Sequence, residues 1–225
     1  DVFGPNGFFD TFLAGNAAPQ LLIEGFGEPF RMVNPGVGFK KHPSNYFTHR
    51  PIDAALALRA EPGVRPEGID SVEVVFPRFE YVDRPQPNTG LDGKISVQYT
   101  VAIALLDGEI TIDSFTNERR FAPDVVALLP RVALKFDDAI PKDFDQMHTV
   151  VTVRMKDGRR LTRKVDKLSG WIGLPLTREE RLRKFHSCAR RVLPRNAADR
   201  IVELVEDLER LPDIVEVMDI ARAEG

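Results

Sequence analysis

The chain has 225 residues and one cysteine, so it is not a disulfide scaffold, and its composition fits the reducing environment of the cytoplasm. Its hydrophobic fraction of 43% and charged fraction of 29% are typical of a globular protein with a substantial core. The net charge of -3 lacks the basic excess of a nucleic-acid binder, and no apolar run approaches the ~20 residues of a membrane span. We therefore expect a soluble cytoplasmic protein that binds neither nucleic acid nor membranes.

The N-terminal segment, residues 1–28, begins at Asp1 without a methionine. Its short apolar runs are closed by Gly15, Gly25 and Gly27, a pattern that predicts two short helices with glycine stops. Such a segment is typical of the interior of a domain. We therefore expect the chain to be cleaved, trimmed or one half of a split protein.

The middle of the chain mixes helical and strand periodicities and predicts an α+β domain. The Asp157-Gly158 turn, preceded by alternating apolar residues and followed by a second strand-like run, predicts a hairpin. We expect an antiparallel sheet with helices packed on it. Strands are predicted at 69–79, 131–136 and on both sides of the hairpin turn, and helices from Ile52 to Ala60, at 94–107 and at 121–129.

The last fifty residues contain three helical apolar stripes, which Pro194 and Pro212 separate. The first of these helices is mainly basic and the second mainly acidic. Neighbouring helices of opposite charge usually face each other or solvent, so we do not interpret the basic helix as a nucleic-acid recognition element.

The densest polar cluster is FKKHPSNYFTHR, residues 39–50, just before a predicted helix. It holds five cationic or potentially cationic side chains and four neutral hydrogen-bonding ones. Helix N-terminal amides carry partial positive charge and lysines pair with carboxylates, so this loop suits a small polycarboxylate. The alternative is a solvated surface on which the lysines face water and His49 is an ordinary packing histidine.

The better-known catalytic signatures are absent from the sequence, which contains no HExxH, CxxC, P-loop or GxSxG motif. GFGEPF at residues 25–30 lacks the third glycine of a dinucleotide site. We therefore expect neither a metal nor an organic cofactor. Cys188 and Trp171 are interpreted as packing residues.

Three stretches carry a resemblance: FKKHPSNYFTHRPIDAALAL, then ISVQYTVAIALLDGEI, then GLPLTREERLRKF. They resemble, in order and in spacing, a lysine-x-x-proline loop, a Ser-x-x-Tyr-x-x-Ala helix and a Pro-Leu-Thr-x-Glu-Glu segment of the MmgE/PrpD family. This family includes 2-methylcitrate dehydratase, cis-aconitate decarboxylase and iminodisuccinate epimerase. The resemblance covers nearly the whole chain.

The resemblance implies a dimeric enzyme in which a helical domain is built from both chain ends and a smaller α+β domain lies between them. It assigns residues 1–28 and 169–225 to the all-α domain and residues 29–168 to the α+β domain. The chain resembles the C-terminal half of such an enzyme. A second chain would then have to supply the N-terminal helical half, in a homo- or hetero-oligomer.

The resemblance also implies site residues, in a cleft between the two domains. Asn45 stands where a decarboxylase of the family has a histidine, which favours dehydration or epimerisation over decarboxylation, because an amide has no proton to exchange near neutral pH. The residues assigned to catalysis are Lys40, His49 and Tyr99, and those assigned to substrate binding are Lys41, Ser44 and Asn45.

Reactions of this kind move a proton at a carbon next to a carboxylate, so the site must bind carboxylates and stabilise enolate-like charge. Lys41, together with partial burial, would lower the pKa of the neighbouring Lys40 amine. Tyr99 would donate a proton or hydrogen bond, and His49 would orient the substrate. The expected function is a cofactor-independent dehydratase or epimerase for a small di- or tricarboxylate. A noncatalytic partner subunit that keeps the family fold is an alternative, and so is an unrelated structural adaptor.

Overall fold

The computed structural model describes residues 2–13 and 18–222, and the chain divides into two compact units, residues 1–38 and 39–225. The first unit contains helix α1 (Phe8–Leu13) and a 3-10 turn at Pro19–Leu22, so only one of the two predicted helices is an α-helix. The predicted stop at Gly15 lies outside the described residues. None of the residues of α1 is buried, and this unit exposes large apolar side chains that include Phe8, Phe12, Ile23, Phe26 and Phe30.

The second unit is an α+β structure, and the predicted fold class is confirmed. Its strands form one sheet in the order β2-β1-β3-β4. The strands are β1 (Ile69–Phe76), β2 (Val132–Phe136), β3 (Thr149–Met155) and β4 (Arg160–Val165). The helices are α2 (Tyr46–Arg59), α3 (Val97–Asp107), α4 (Asn117–Arg120), α5 (Pro123–Leu128), α6 (Arg178–Ala189), α7 (Arg195–Glu206) and α8 (Val215–Ala221).

The sheet is mixed and not wholly antiparallel, which corrects the predicted strand arrangement. Strand β2 pairs with β1 in parallel, with Val72 opposite Val132, whereas β3 pairs antiparallel with both β1 and β4. The reason is the connection, because the chain passes from β1 through three helices before it enters β2, and such a crossover returns a strand in the same direction. The predicted hairpin is confirmed as β3 and β4.

One face of the sheet forms the main core beneath α2 and α3. Val74 of β1 lies opposite Val151 of β3, and both are fully buried. Helix α3 is buried along almost its whole length because VAIALL is apolar on every side. The helix begins where the Ser96 hydroxyl accepts a hydrogen bond from the Tyr99 amide, and it ends at Gly108, whose φ of +74° is left-handed.

Helix α2 begins at Tyr46, six residues before the start that the apolar spacing predicts. Asn45 caps it, since its side-chain oxygen accepts from the Phe47 amide at 3.0 Å. The first turns contain polar side chains that the fold buries, including Thr48, His49 and Arg50. These buried polar residues hide the helical apolar spacing that would mark the start of α2.

The C-terminal helices share a small core of their own, in which Ile201, Leu204 and Val217 are buried. The basic helix α6 and the acidic helix α7 face each other through a bidentate ion pair between Arg178 and Glu206, at 2.6 and 2.7 Å. Within the described ranges, no helix combines the length and the apolar character that crossing a membrane requires.

Candidate active site

The cationic loop, residues 39–45, runs into the N-terminus of α2. Its start is fixed by the Phe39 amide, which donates to the Gly170 carbonyl at 2.6 Å. Gly170 has a φ of +88°, and a Cβ there would collide with the Phe39 carbonyl oxygen, so this approach requires glycine. The loop is therefore held against the segment that follows the sheet.

Lys40 presents its side chain to solvent at the surface of this loop. Its ammonium lies 5.3 Å from the centre of the Tyr46 ring, within the range of a cation-π contact. Its carbonyl accepts a hydrogen bond from the ammonium of Lys184 on α6. The structure thus places the predicted catalytic lysine where a dissolved anion can reach it.

Lys41, in contrast, is already paired with two carboxylates. Its ammonium lies 3.2 Å from Asp53 and 3.4 Å from Glu180. The His42 ring nitrogen donates to the same Asp53 oxygen at 3.0 Å. Burial alone would raise the pKa of Asp53, but the bond from His42 and the charge of Lys41 lower it below its ordinary value. Lys41 is therefore a bridge between α2 and α6 and not a free cation next to Lys40.

His49 is fully buried, and within the part of the chain that the structure describes neither of its ring nitrogens makes a hydrogen bond of good geometry, although the Ser44 backbone lies close enough to favour its protonated form. Burial, and then the nearby His42, lower the pKa of His49 to about 3. The hydroxyl of Tyr46, whose ring lies 5.0 Å away, is likewise buried without a partner among the described residues. Each such group costs ~1–3 kcal/mol of stability, and unsatisfied buried polar groups often have a functional explanation.

Ser44 and Asn45, both assigned to substrate binding, also have structural partners. The buried Ser44 hydroxyl lies 2.8 Å from the Thr48 hydroxyl. Asn45 caps α2 and its backbone amide donates to the Lys94 carbonyl at 2.9 Å. Both residues therefore fix the end of the loop, and their roles toward a substrate stay predictions.

Tyr99, assigned to catalysis, lies in the main core. Its side chain is fully buried, and its hydroxyl donates to the Ser114 carbonyl at 2.5 Å. Burial raises the pKa of Tyr99 to about 12. In this conformation the hydroxyl already has a protein partner, so the geometry favours a structural role and the catalytic one stays a prediction.

Several residues near the loop were missed by the sequence analysis. Tyr81 has a half-exposed ring packed on Phe47, and the Asn45 side chain is a hydrogen-bond partner of its hydroxyl. On α2, Asp53 follows His49 by one helical turn, and on α6 Glu180 and Lys184 are also one turn apart. That i,i+4 spacing was the signal in the sequence that each pair shares one helix face, although it does not show which loop that face contacts.

A surface cavity of about 320 Å³ lies beside Lys41 and His42, with Glu180 and Lys184 on its wall. This volume is within the range of small-molecule sites. Across residues 2–13 and 18–222, no group of three His, Cys, Asp or Glu side chains is placed to hold a metal ion. The residues that line this cavity do not include Lys40 or His49, so the exposed ammonium and the buried, neutral imidazole lie outside it.

Lysine and histidine side chains can take part in acid-base chemistry on a small anion, and this chain has both types near the start of α2. The family model of the MmgE/PrpD C-terminal domain matches residues 42–210. The chain therefore belongs to the MmgE/PrpD family, as the three sequence stretches indicated.

Curated relatives are cis-aconitate decarboxylases. The protein from Mus musculus is 33% identical over 212 residues, which cover 91% of this chain and 43% of that protein. The protein from Homo sapiens is 30% identical over 210 residues, covering 91% and 44% respectively. The protein from Aspergillus terreus (strain NIH 2624 / FGSC A1156) is 24% identical over 235 residues, covering 95% and 47%. The chain thus spans less than half the length of these relatives.

Proposed function

We propose that this chain contributes the cationic loop to a lyase or epimerase that acts on a small di- or tricarboxylate without a metal or organic cofactor. The observation that carries the proposal is the exposed ammonium of Lys40 next to two buried polar groups without partners, on His49 and Tyr46. Membership of the MmgE/PrpD family supports the same class of chemistry.

The geometry suggests how these groups would divide the work. Lys40 would bind a substrate carboxylate or move the proton next to it, since its ammonium is open to solvent. His49 is neutral at pH 7, so it would orient a substrate or a neighbouring side chain by a hydrogen bond and not by charge. Tyr81 brings a phenol to the edge of the loop, beside Asn45.

The type of reaction depends on Asn45. The matched relatives are named as decarboxylases of cis-aconitate, whereas an amide cannot deliver a proton to a decarboxylating carbon. We therefore propose dehydration or epimerisation of a hydroxylated or amino-substituted dicarboxylate. The substitution Asn45→Ser keeps a good helix cap and removes the amide, so it should raise KM more than it lowers kcat.

The test is an activity screen of the chain together with a chain that supplies an N-terminal half of the family. The substrates are cis-aconitate, 2-methylcitrate and iminodisuccinate, with carbon dioxide release, water elimination and stereochemical inversion measured separately. Turnover of any of them that depends on Lys40 supports the proposed class. Carbon dioxide release from cis-aconitate that depends on Asn45 would overturn the choice of dehydration or epimerisation.

A second candidate is a noncatalytic subunit that assembles with a catalytic homologue. The observation in its favour is that Ser44, Asn45 and Tyr99 all have structural partners. We propose in either case that the chain associates, because the first unit exposes large apolar side chains. A stable monomer in sedimentation at high concentration would contradict association, and an assembled complex with unchanged activity after Lys40→Ala would favour the noncatalytic role.

A further inference from the structure

Helix α6 contacts two consecutive residues of the cationic loop. The ammonium of Lys184 donates to the Lys40 carbonyl, and the Glu180 carboxylate lies 3.4 Å from the Lys41 ammonium. Residues four apart on a helix lie on the same face, so Glu180 and Lys184 reach the loop side by side. Neither residue is among those that the family resemblance assigned to the site.

Glu180 is itself rigidly held. One of its carboxylate oxygens accepts from the Thr177 amide at 3.0 Å, while the Glu180 amide donates to the Thr177 hydroxyl at 3.1 Å, which completes a capping box. The other oxygen faces Lys41. The bond from the Thr177 amide, with the charge of Lys41, lowers the pKa of Glu180, so the carboxylate is charged at neutral pH.

The loop is held from the opposite side as well. Asp53 of α2 lies 3.2 Å from the same Lys41 ammonium and bonds His42. Lys41 and His42 are thus tied to α2, and the Lys40 backbone is tied to α6. The Cα of Lys40 lies between two backbone contacts, the bond from the Phe39 amide to Gly170 and the bond from Lys184 to the Lys40 carbonyl, so the direction of its side chain depends on both.

We propose that Glu180 and Lys184 are positioning residues that set the conformation of the Lys40–Lys41 loop for an anionic ligand. The part of this inference that concerns an anionic ligand rests on the proposed function. The part that concerns structure, namely that α6 holds the loop in place, can be measured without turnover. Lys184 also adds a second positive charge close to Lys40, where burial and that neighbouring ammonium lower the pKa of Lys184.

The experiment compares Lys184→Met, Lys184→Arg and Glu180→Gln with the unaltered chain. Glutamine keeps the capping box, so Glu180→Gln removes only the charge that meets Lys41. The controls are Glu179→Gln, a neighbouring acid on α6 that is 86% exposed, and Lys135→Met, whose partner Glu73 lies on another strand. The first measurement is amide hydrogen exchange of Phe39, Ser44 and Asn45, whose amides are hydrogen-bonded at the two ends of the loop. The second is the rate at which acetic anhydride modifies Lys40, with Lys135 as the internal reference except in Lys135→Met, where Lys164 replaces it.

We expect Lys184→Met to speed amide exchange in the loop by about tenfold. This factor corresponds to the free energy that is lost with one hydrogen bond to a charged group. The Lys40 modification rate should change with it, the β3–β4 hairpin should exchange as before, and Lys184→Arg should restore most of the protection. Glu180→Gln should have a smaller effect on the same residues. In the reconstituted enzyme, kcat should fall in Lys184→Met and recover in Lys184→Arg.

Unchanged exchange and unchanged Lys40 modification in both Lys184→Met and Glu180→Gln would overturn the inference, even if the complex turns over a polycarboxylate. Equal effects in the two controls would overturn it too, because any change of charge would then suffice. A wild-type complex without polycarboxylate turnover would refute the proposed function instead, and the exchange data would still decide whether α6 holds the loop.

Discussion

Replacing His49 by leucine should make the protein less sensitive to acid. The pKa of His49 is lowered from 6.5 to about 3 in the folded chain, so between these values the unfolded state binds the proton and acidification favours unfolding. Between pH 7.5 and pH 5 this single group should cost about 2 kcal/mol of folding free energy. Leucine removes that cost and also the two unpartnered ring nitrogens, so His49→Leu should match or exceed the wild type in stability at pH 7.5.

The assay is urea unfolding at both pH values, with the difference between them compared for each protein. His42, Asp53 and Lys40 also lie near His49, and they are present in both proteins. His148→Leu is the control, and it should keep the wild-type difference. An acid-induced loss of stability in His49→Leu as large as that of the wild type would refute the view that His49 is buried in its neutral form.

Four further substitutions test the site and the residues that support it. Lys40→Ala should reduce kcat/KM of the assembled enzyme by about 100-fold and change the free energy of unfolding in urea by less than about 0.5 kcal/mol. Lys41→Ala should reduce activity less and lower the free energy of unfolding by up to about 1 kcal/mol. Equal losses of activity would mean that the two lysines form only a diffuse anion-binding patch. Tyr99→Phe should lower the unfolding free energy by about 1 kcal/mol, and unchanged stability with slower turnover would assign the hydroxyl to chemistry instead. Gly170→Ala should destabilise by about 2 kcal/mol or more because of its positive φ and its contact with Phe39, and calorimetry showing an unchanged midpoint would contradict that packing.

Local sequence signals predicted much of the fold because their physical causes are local. The Asp157-Gly158 turn fixes the hairpin, and Gly108 ends α3 as predicted, although the helix begins at Val97, three residues after the predicted start. The parallel pairing of β2 was not predictable in this way. It depends on how a long connection folds back, which no short window of sequence contains.

The candidate site likewise depends on contacts between residues far apart in sequence, which the sequence does not reveal. The sequence identified the cationic loop, but the structure leaves Lys40 exposed and not partly buried as expected. It did not show that Asp53 and Glu180 neutralise Lys41, because these residues come from helices 12 and 139 positions further along the chain. It also did not show that Tyr99 points into the core, since α3 is apolar on all sides and has no solvent-facing stripe to reveal its orientation.

One of the two edge strands of the sheet, β4, limits how copies of this chain can associate. An unpaired strand edge is a template for hydrogen bonding to another chain, and it leads to fibres when it is flat and apolar. Here the edge strand exposes Arg160, Arg163 and Lys164, so two such edges would repel each other. Pairing of two β4 edges is thereby disfavoured, which leaves association to the other edge strand, β2, and to the exposed apolar side chains elsewhere on the chain.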